Sequence, residues 1–180
     1  MSKYTNILLQ NKQNVLHTQD LSLLWSIEGN TLYTTIKRYC AKNILNRVYK
    51  GMYVIGDLED ISPLLLGVKA LNRYSYISTE TILEQAGVIN QRIPHITLIS
   101  SVSRRFKINE HSFICRQLQD KHLYQTTGII EKNNIKIATI ERAVADLLYF
   151  NAKFYFDNPK LINWNKVKII QQQIYANTKT

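Results

Sequence analysis

Cysteine, proline and glycine are all scarce in this 180-residue chain, at two, three and six residues. The two cysteines, Cys40 and Cys115, each stand in an apolar setting. That argues against a disulfide-stapled scaffold and for two reduced thiols in a cytosolic protein. With so little Pro and Gly, the chain should be mostly regular elements joined by short turns. No run approaches the roughly 18 apolar residues that a membrane-spanning helix needs. The opening MSKYTNILLQNKQN has neither an apolar core nor a small-residue cleavage site, so no secretory leader is expected and the expected compartment is the cytoplasm. Internal repeats and low-complexity tracts are missing as well.

The glycine patterns that cradle nucleotide phosphates are also missing. So is the Gly-Ser…Asp-x-Asp pattern of nucleotidyltransferases. A two-acid-plus-Lys nuclease site needs an acid followed by acid-x-Lys to hold Mg²⁺. Asp120 is followed by Glu131-Lys132-Asn133, with the wrong spacing, and Asn134-Ile135-Lys136 lacks the acid. His111, Cys115 and His122 match no usual zinc spacing and have no fourth ligand. We therefore expect no catalytic residues, no metal and no cofactor.

What is present is apolar residues at 45% and a net charge of +10. The first figure allows a sizeable core. The second favours a polyanionic partner. The charge is uneven. Residues 1–55 hold seven Lys/Arg against two acids, residues 56–110 six of each, and residues 111–180 ten against five. A basic head, a neutral middle and a basic tail result.

The head reads as three helices and a hairpin. Residues 3–13 place Tyr4, Ile7 and Leu8 on one side, with Leu9 at its margin. A short extended piece follows around residues 15–17. Thr18 is the expected cap of a short second helix through Leu21, Leu24 and Trp25, with Asp20 in its first turn. After the turn Ser26-Ile27-Glu28-Gly29-Asn30, with Asn30 as cap, residues 31–43 form a third helix. Two short helices around a tight Gly-containing turn are the helix-turn-helix pattern. ILNRVYKGMYVI, residues 44–55, then reads as two strands around Tyr49-Lys50-Gly51, with Gly51 supplying a positive φ. A hairpin in that place is a wing.

On a wheel of about 100° per residue, Leu32, Ile36, Tyr39 and Cys40 share the inward face of the third helix. Thr31, Thr34, Lys37, Arg38 and Ala41 share the opposite arc. Small polar residues admit the helix to the major groove, Arg pairs with guanine, and Thr meets base edges or thymine methyls. Lys37 and Lys42 suit phosphates. Arg47, Tyr49 and Lys50 stand near the wing tip, where a backbone or minor-groove contact is expected. The expected DNA-binding set is thus Thr31, Thr34, Lys37, Arg38, Lys42, Arg47, Tyr49 and Lys50. Tyr33 and Tyr39 are expected to be packing residues rather than stacking platforms.

The acidic stretch Gly56–Asp60 ends this unit, which gives a DNA-binding domain over 1–56 and a second domain over 57–180. In the latter, residues 62–72 read as a helix. Ser75–Ile77 is a strand, and Ser78 or Thr79 caps a helix to Gln85 closed by Gly87. Residues 95–100, 103–108, 112–118 and 134–138 read as strands. Thr139 caps the helix IERAVADLLYF, with Arg142 and Asp146 as a surface i,i+4 pair. A last helix over 163–176 is built on Trp164, Val167, Ile170 and Ile174. The fold class is α+β: an N-terminal winged helix-turn-helix followed by a mixed α/β C-terminal domain.

Four blocks of this sequence, in order, resemble the AbiEi-type antitoxins: LNRVYKGMYVI (45–55), YSYISTETILEQAGVI (74–89), ITLISSVSRRFKINEHSFICRQL (96–118) and IKIATIERAVADLLYF (135–150). The departures are Ile140 where the family often has Pro, and Glu84-Gln85-Ala86 before Gly87 where His is common. The resemblance implies a transcriptional repressor acting at promoter inverted repeats on double-stranded DNA. It implies a C-terminal domain that counters a nucleotidyltransferase-like toxin without a stable complex. Inverted repeats call for a homodimer or two cooperatively bound monomers. The alternative is a stand-alone winged-helix regulator, or a protein-interaction module, with no toxin partner.

Overall fold

The structure, a computed structural model, describes residues 3–176 of an α+β chain. It divides into two compact units, one up to Ala70 and one from Leu71. No helix among the described residues is long and apolar enough to cross a membrane.

The first unit opens with α1 (Lys3–Gln10), β1 (Val15–His17), α2 (Thr18–Trp25) and α3 (Gly29–Ala41). The hairpin β2 (Leu45–Tyr49) and β3 (Met52–Ile55) follows, then α4 (Pro63–Leu71). The strands form an antiparallel sheet in the order β1-β3-β2. Leu8, Leu16, Leu21, Trp25, Leu32, Ile36, Tyr39, Leu45 and Tyr53 build one core, drawing on α1, α2, α3 and the sheet. Trp25 is its hub, with the rings of Tyr39 and Tyr4 at 5.2 and 5.5 Å. Leu9 stays outside this core, exposed on α1.

Two expected helix starts are corrected. Thr18 lies inside α2 and His17 takes the cap position; the Asp20 carboxylate accepts its backbone N–H at 2.7 Å. Thr18 instead donates to the Gly51 carbonyl from both its backbone N–H (2.9 Å) and its hydroxyl (3.3 Å), which ties α2 to the hairpin turn. Gly51 itself has φ +62°, as the turn requires. α3 begins at Gly29 with Glu28 at its cap, ahead of Asn30, and ends before Asn43, which adopts φ +54°.

The second unit is built on a six-stranded mixed sheet in the order β6-β7-β5-β4-β9-β8. Its strands are β4 (Ser75–Ile77), β5 (Ile96–Ser100), β6 (Arg104–Ile108), β7 (His111–Gln117), β8 (Ile129–Lys132) and β9 (Ile135–Ala138). β4 pairs in parallel with β9, and β5 with β7; the other neighbours are antiparallel. α5 (Glu80–Gln85) and α7 (Ile140–Phe150) pack on the sheet, and α8 (Trp164–Tyr175) packs on α7. A short helix, α6 (Asp120–Leu123), precedes β8.

Thr139 caps α7 as expected, its hydroxyl accepting the Arg142 N–H at 3.3 Å. Neither Ser78 nor Thr79 caps α5 through its side chain. Thr79 has the position but makes no such bond, and Ser78 turns its hydroxyl to Asp146. Trp164 does not anchor α8 in the core. It is 42% exposed, its ring edge against Phe156 and its indole N–H on the Pro159 carbonyl. Arg142 and Asp146 are not a surface pair: both are fully buried.

Candidate nucleic-acid interface

α3 separates its residues into two faces. Leu32, Thr35, Ile36 and Tyr39 are buried. Thr31, Thr34, Lys37, Arg38 and Ala41 are all exposed, as is Lys42 just past the helix end. Successive side chains advance by about 100°, so apolar residues at 32, 36 and 39 fix which arc faces the core and leave the opposite arc in water. The expected α3 residues therefore share one open surface.

Arg47 and Lys50 are exposed on the hairpin and Tyr49 is half-buried. The register slips between Arg47 and Tyr49, so Val48 forms a bulge that re-aims the strand near the turn. The link from α3 to β2 is tight, with the Ile44 N–H on the Tyr39 carbonyl at 3.0 Å. Burial raises the Cys40 thiol pKa, and the charge of Arg47 opposes that rise. The hairpin cation is thus close enough to α3 for its field to be felt there.

Residues 29–56 hold five Lys/Arg and not one Asp or Glu. Among the described residues, none of these five cations is in an ion pair. Folding gives such charges no counter-charge, so their field is available to an external anion.

Tyr33 departs from the expected packing role. It is 61% exposed. The sequence does carry the signal, in its wheel position about 40° from Lys37 and well away from the centre of the apolar arc.

The polar groups of the second unit make a different kind of site. Arg142 donates from Nε to Asp146 Oδ1 at 2.7 Å, and from Nη1 to the carbonyls of Gln125 and Thr127, both at 3.0 Å. Its Nη2 reaches the Tyr76 hydroxyl at 2.8 Å and the His122 carbonyl at 3.4 Å. Asp146 also accepts from Tyr76 (3.0 Å), Ser78 (2.7 Å) and Tyr175 (2.5 Å). Burial works against the Arg142 charge, but Asp146 outweighs it and holds the guanidinium protonated. Burial first, then the Asp146 charge, raises the phenol pKa values of Tyr76 and Tyr175, so both stay neutral donors. Gly128 closes over the pair at φ +74°, where a Cβ would come within 2.8 Å of the Arg142 Cβ. The network joins β4, α7, α8 and the segment before β8, and the side chains of Tyr76, Ser78, Arg142, Asp146 and Tyr175 in it are buried.

The remaining sequence candidates are scattered. Cys115 is buried, its thiol donates to the Val102 carbonyl at 3.2 Å, and burial pushes its pKa up to about 12 against the opposing charges of Arg73 and Arg104. His122 is buried against the rings of Tyr149 and Tyr175. Glu131 faces Lys136 across the β8–β9 pair at 3.6 Å. Among the described residues no group of three His, Cys, Asp or Glu is placed to hold a metal ion.

No protein-family model matches the chain. No curated protein matches its sequence. Three solved chains match its structure, among them the crystal structure of RV2827C protein from Mycobacterium tuberculosis. That match has a TM-score of 0.53 at 11% identity and covers 97% of this chain. It spans 66% of the mycobacterial chain, and at that identity the likeness is one of fold.

Proposed function

We propose that this chain is a sequence-specific DNA-binding repressor whose N-terminal segment, 1–56, is a winged helix-turn-helix. One observation carries the reading. α3 presents Thr31, Thr34, Lys37 and Arg38 on a single exposed arc, in a stretch with five cations and no acid. An α-helix with small polar residues and an Arg on its outer face fits the major groove, where each base pair offers a distinct donor and acceptor pattern. Lys42, Arg47 and Lys50 then meet phosphates, which fix register without reading sequence. Tyr49 completes the hairpin contact.

In the same reading the chain is an AbiEi-type antitoxin. It represses the promoter it shares with a nucleotidyltransferase-like toxin, and residues 57–180 counter that toxin. The four sequence blocks support this part. Repression needs no chemistry, and the reading assigns the chain no catalytic residue, metal or cofactor. It acts on inverted repeats as a dimer or as cooperative monomers.

A gel-shift titration tests the reading, using the DNA upstream of the chain's own gene, a scrambled competitor and two salt concentrations. A specific shift that weakens steeply between about 50 and 200 mM salt is the expected result. A shift no stronger than the competitor's at either salt overturns it. For the toxin, the full chain is expected to restore growth to cells expressing a nucleotidyltransferase-like toxin encoded beside it; no rescue overturns that part alone.

A further inference from the structure

Among the described residues of the first unit, three large apolar side chains are well exposed: Leu9, Leu23 and Tyr33. Only Tyr33 stands on the cationic helix. Among the described residues its ring stacks on no other ring and its hydroxyl has no hydrogen-bond partner. An aromatic ring left 61% in water has forgone the burial that Tyr39, six residues on, obtains against Trp25. Its surroundings explain how it can stand open. Helical side chains lean toward the N-terminus, over residues three and four positions earlier. For Tyr33 these are Asn30 and Gly29, and nothing lies within 4 Å of where a Gly29 side chain would begin. The space over the first turn of α3 is therefore open on this side, with Asn30 one turn before Tyr33 and Lys37 one turn after it.

Resting on the repressor reading, we propose that Tyr33 is a specificity residue that reads thymine in the major groove. The first turns of a recognition helix are the part that reaches base edges. A flat apolar ring suits the thymine C5-methyl, the one apolar group that a base pair presents in that groove. The exposed Lys37 next to it supplies the phosphate contact that holds the helix in register. Tyr33 is uncharged, so its contribution is to discrimination rather than to the salt-dependent attraction.

The test is an anisotropy titration with two duplexes, the DNA upstream of the chain's own gene and a scrambled duplex of equal composition. The proteins are wild type, Tyr33→Ala, Tyr33→Phe and Lys37→Ala. Tyr33→Ala should lose about tenfold on the upstream duplex and little on the scrambled one, with an unchanged salt slope. Tyr33→Phe should keep most of the preference. Lys37→Ala should weaken both duplexes and lower the slope by about one. Replacing upstream thymines by deoxyuridine should weaken wild type more than it weakens Tyr33→Ala. Equal losses on both duplexes for Tyr33→Ala, no loss at all, or a change in its oligomeric state would overturn the proposal. No preference of wild type for the upstream duplex would overturn the repressor reading itself.

Discussion

Arg38 and Arg142 each occupy a helix of ordinary amphipathic pattern, yet they use the same side chain in opposite ways. Arg142 is fully buried, and its five N–H groups meet five acceptors: Asp146, two loop carbonyls on Nη1, and the Tyr76 hydroxyl and His122 carbonyl on Nη2. Nothing of its binding capacity remains for another molecule. Arg38 is exposed in the last turn of α3, where it gains a little from the helix dipole. Its guanidinium lies 5.8 Å from the centre of the Tyr39 ring, and its donors remain open to water. A cation committed to its own fold marks architecture. A row of cations that the fold leaves without counter-charges keeps its field open to solvent.

That contrast can be broken at either end. The largest effect belongs to the interior. Asp146→Ala leaves the Arg142 charge buried without its carboxylate and should lower stability by about 3–5 kcal/mol. A urea unfolding curve reads this, and a loss below about 1 kcal/mol would refute the structural role. Arg38→Ala should leave that curve unchanged and weaken operator binding by about 1–3 kcal/mol, with relaxed specificity. Equal operator affinity would remove Arg38 from the reading face. Lys50→Ala should act more weakly and alike on every DNA sequence, as a phosphate contact does. A loss that depends on sequence would contradict that role.

The smallest effect is one of pH. Burial lowers the His122 pKa below its ordinary 6.5, with Lys121 and Arg142 acting in the same sense and a backbone hydrogen bond with Ile174 opposing them. The unfolded chain therefore takes up this proton first as pH falls. Its contribution is complete above about pH 6.5 and diminishes as pH drops toward the folded value. Between pH 7.5 and 5.5, His122→Gln should flatten part of the decline in the urea midpoint. An identical decline in wild type and variant would show that His122 is not its source.

Much of this contrast is legible in the sequence, and where it is not the reasons are physical. The two faces of α3 are readable because Leu32, Ile36 and Tyr39 alone define the buried arc. The Thr139 cap is readable because it precedes an apolar period of the right length. Arg142 and Asp146 mislead because an i,i+4 pair of opposite charges looks the same on a wet face and in a core. What buries them is covering structure distant in sequence: Tyr76 on β4, Tyr175 on α8 and the loop carbonyls before β8. The run from Arg142 to Leu147 is buried without interruption, so α7 has no exposed face at that level. β8 is the strand that sequence patterning does not find, although its turn is visible. Asn133 and Asn134 take φ +51° and +60°, which is what a two-residue hairpin turn asks of both positions. Hydrophobicity alone points Trp164 to the core, but its indole N–H needs a partner and finds the Pro159 carbonyl at the surface. The same bias points Tyr33 inward, against its wheel position.

The central claim is that the α3 face meets DNA, and salt dependence addresses it most directly. Wild type and a Lys37→Ala/Arg38→Ala/Lys42→Ala variant would be titrated by anisotropy against the upstream duplex, from about 50 to 200 mM salt. Removing one phosphate-bound cation should make the slope of log affinity against log salt shallower by about 0.9, and removing both Lys37 and Lys42 by about 1.8, while the loss of Arg38 adds a loss of base contact. A variant with markedly weaker binding and a shallower slope is the predicted result. A variant with the affinity and slope of wild type would contradict the claim.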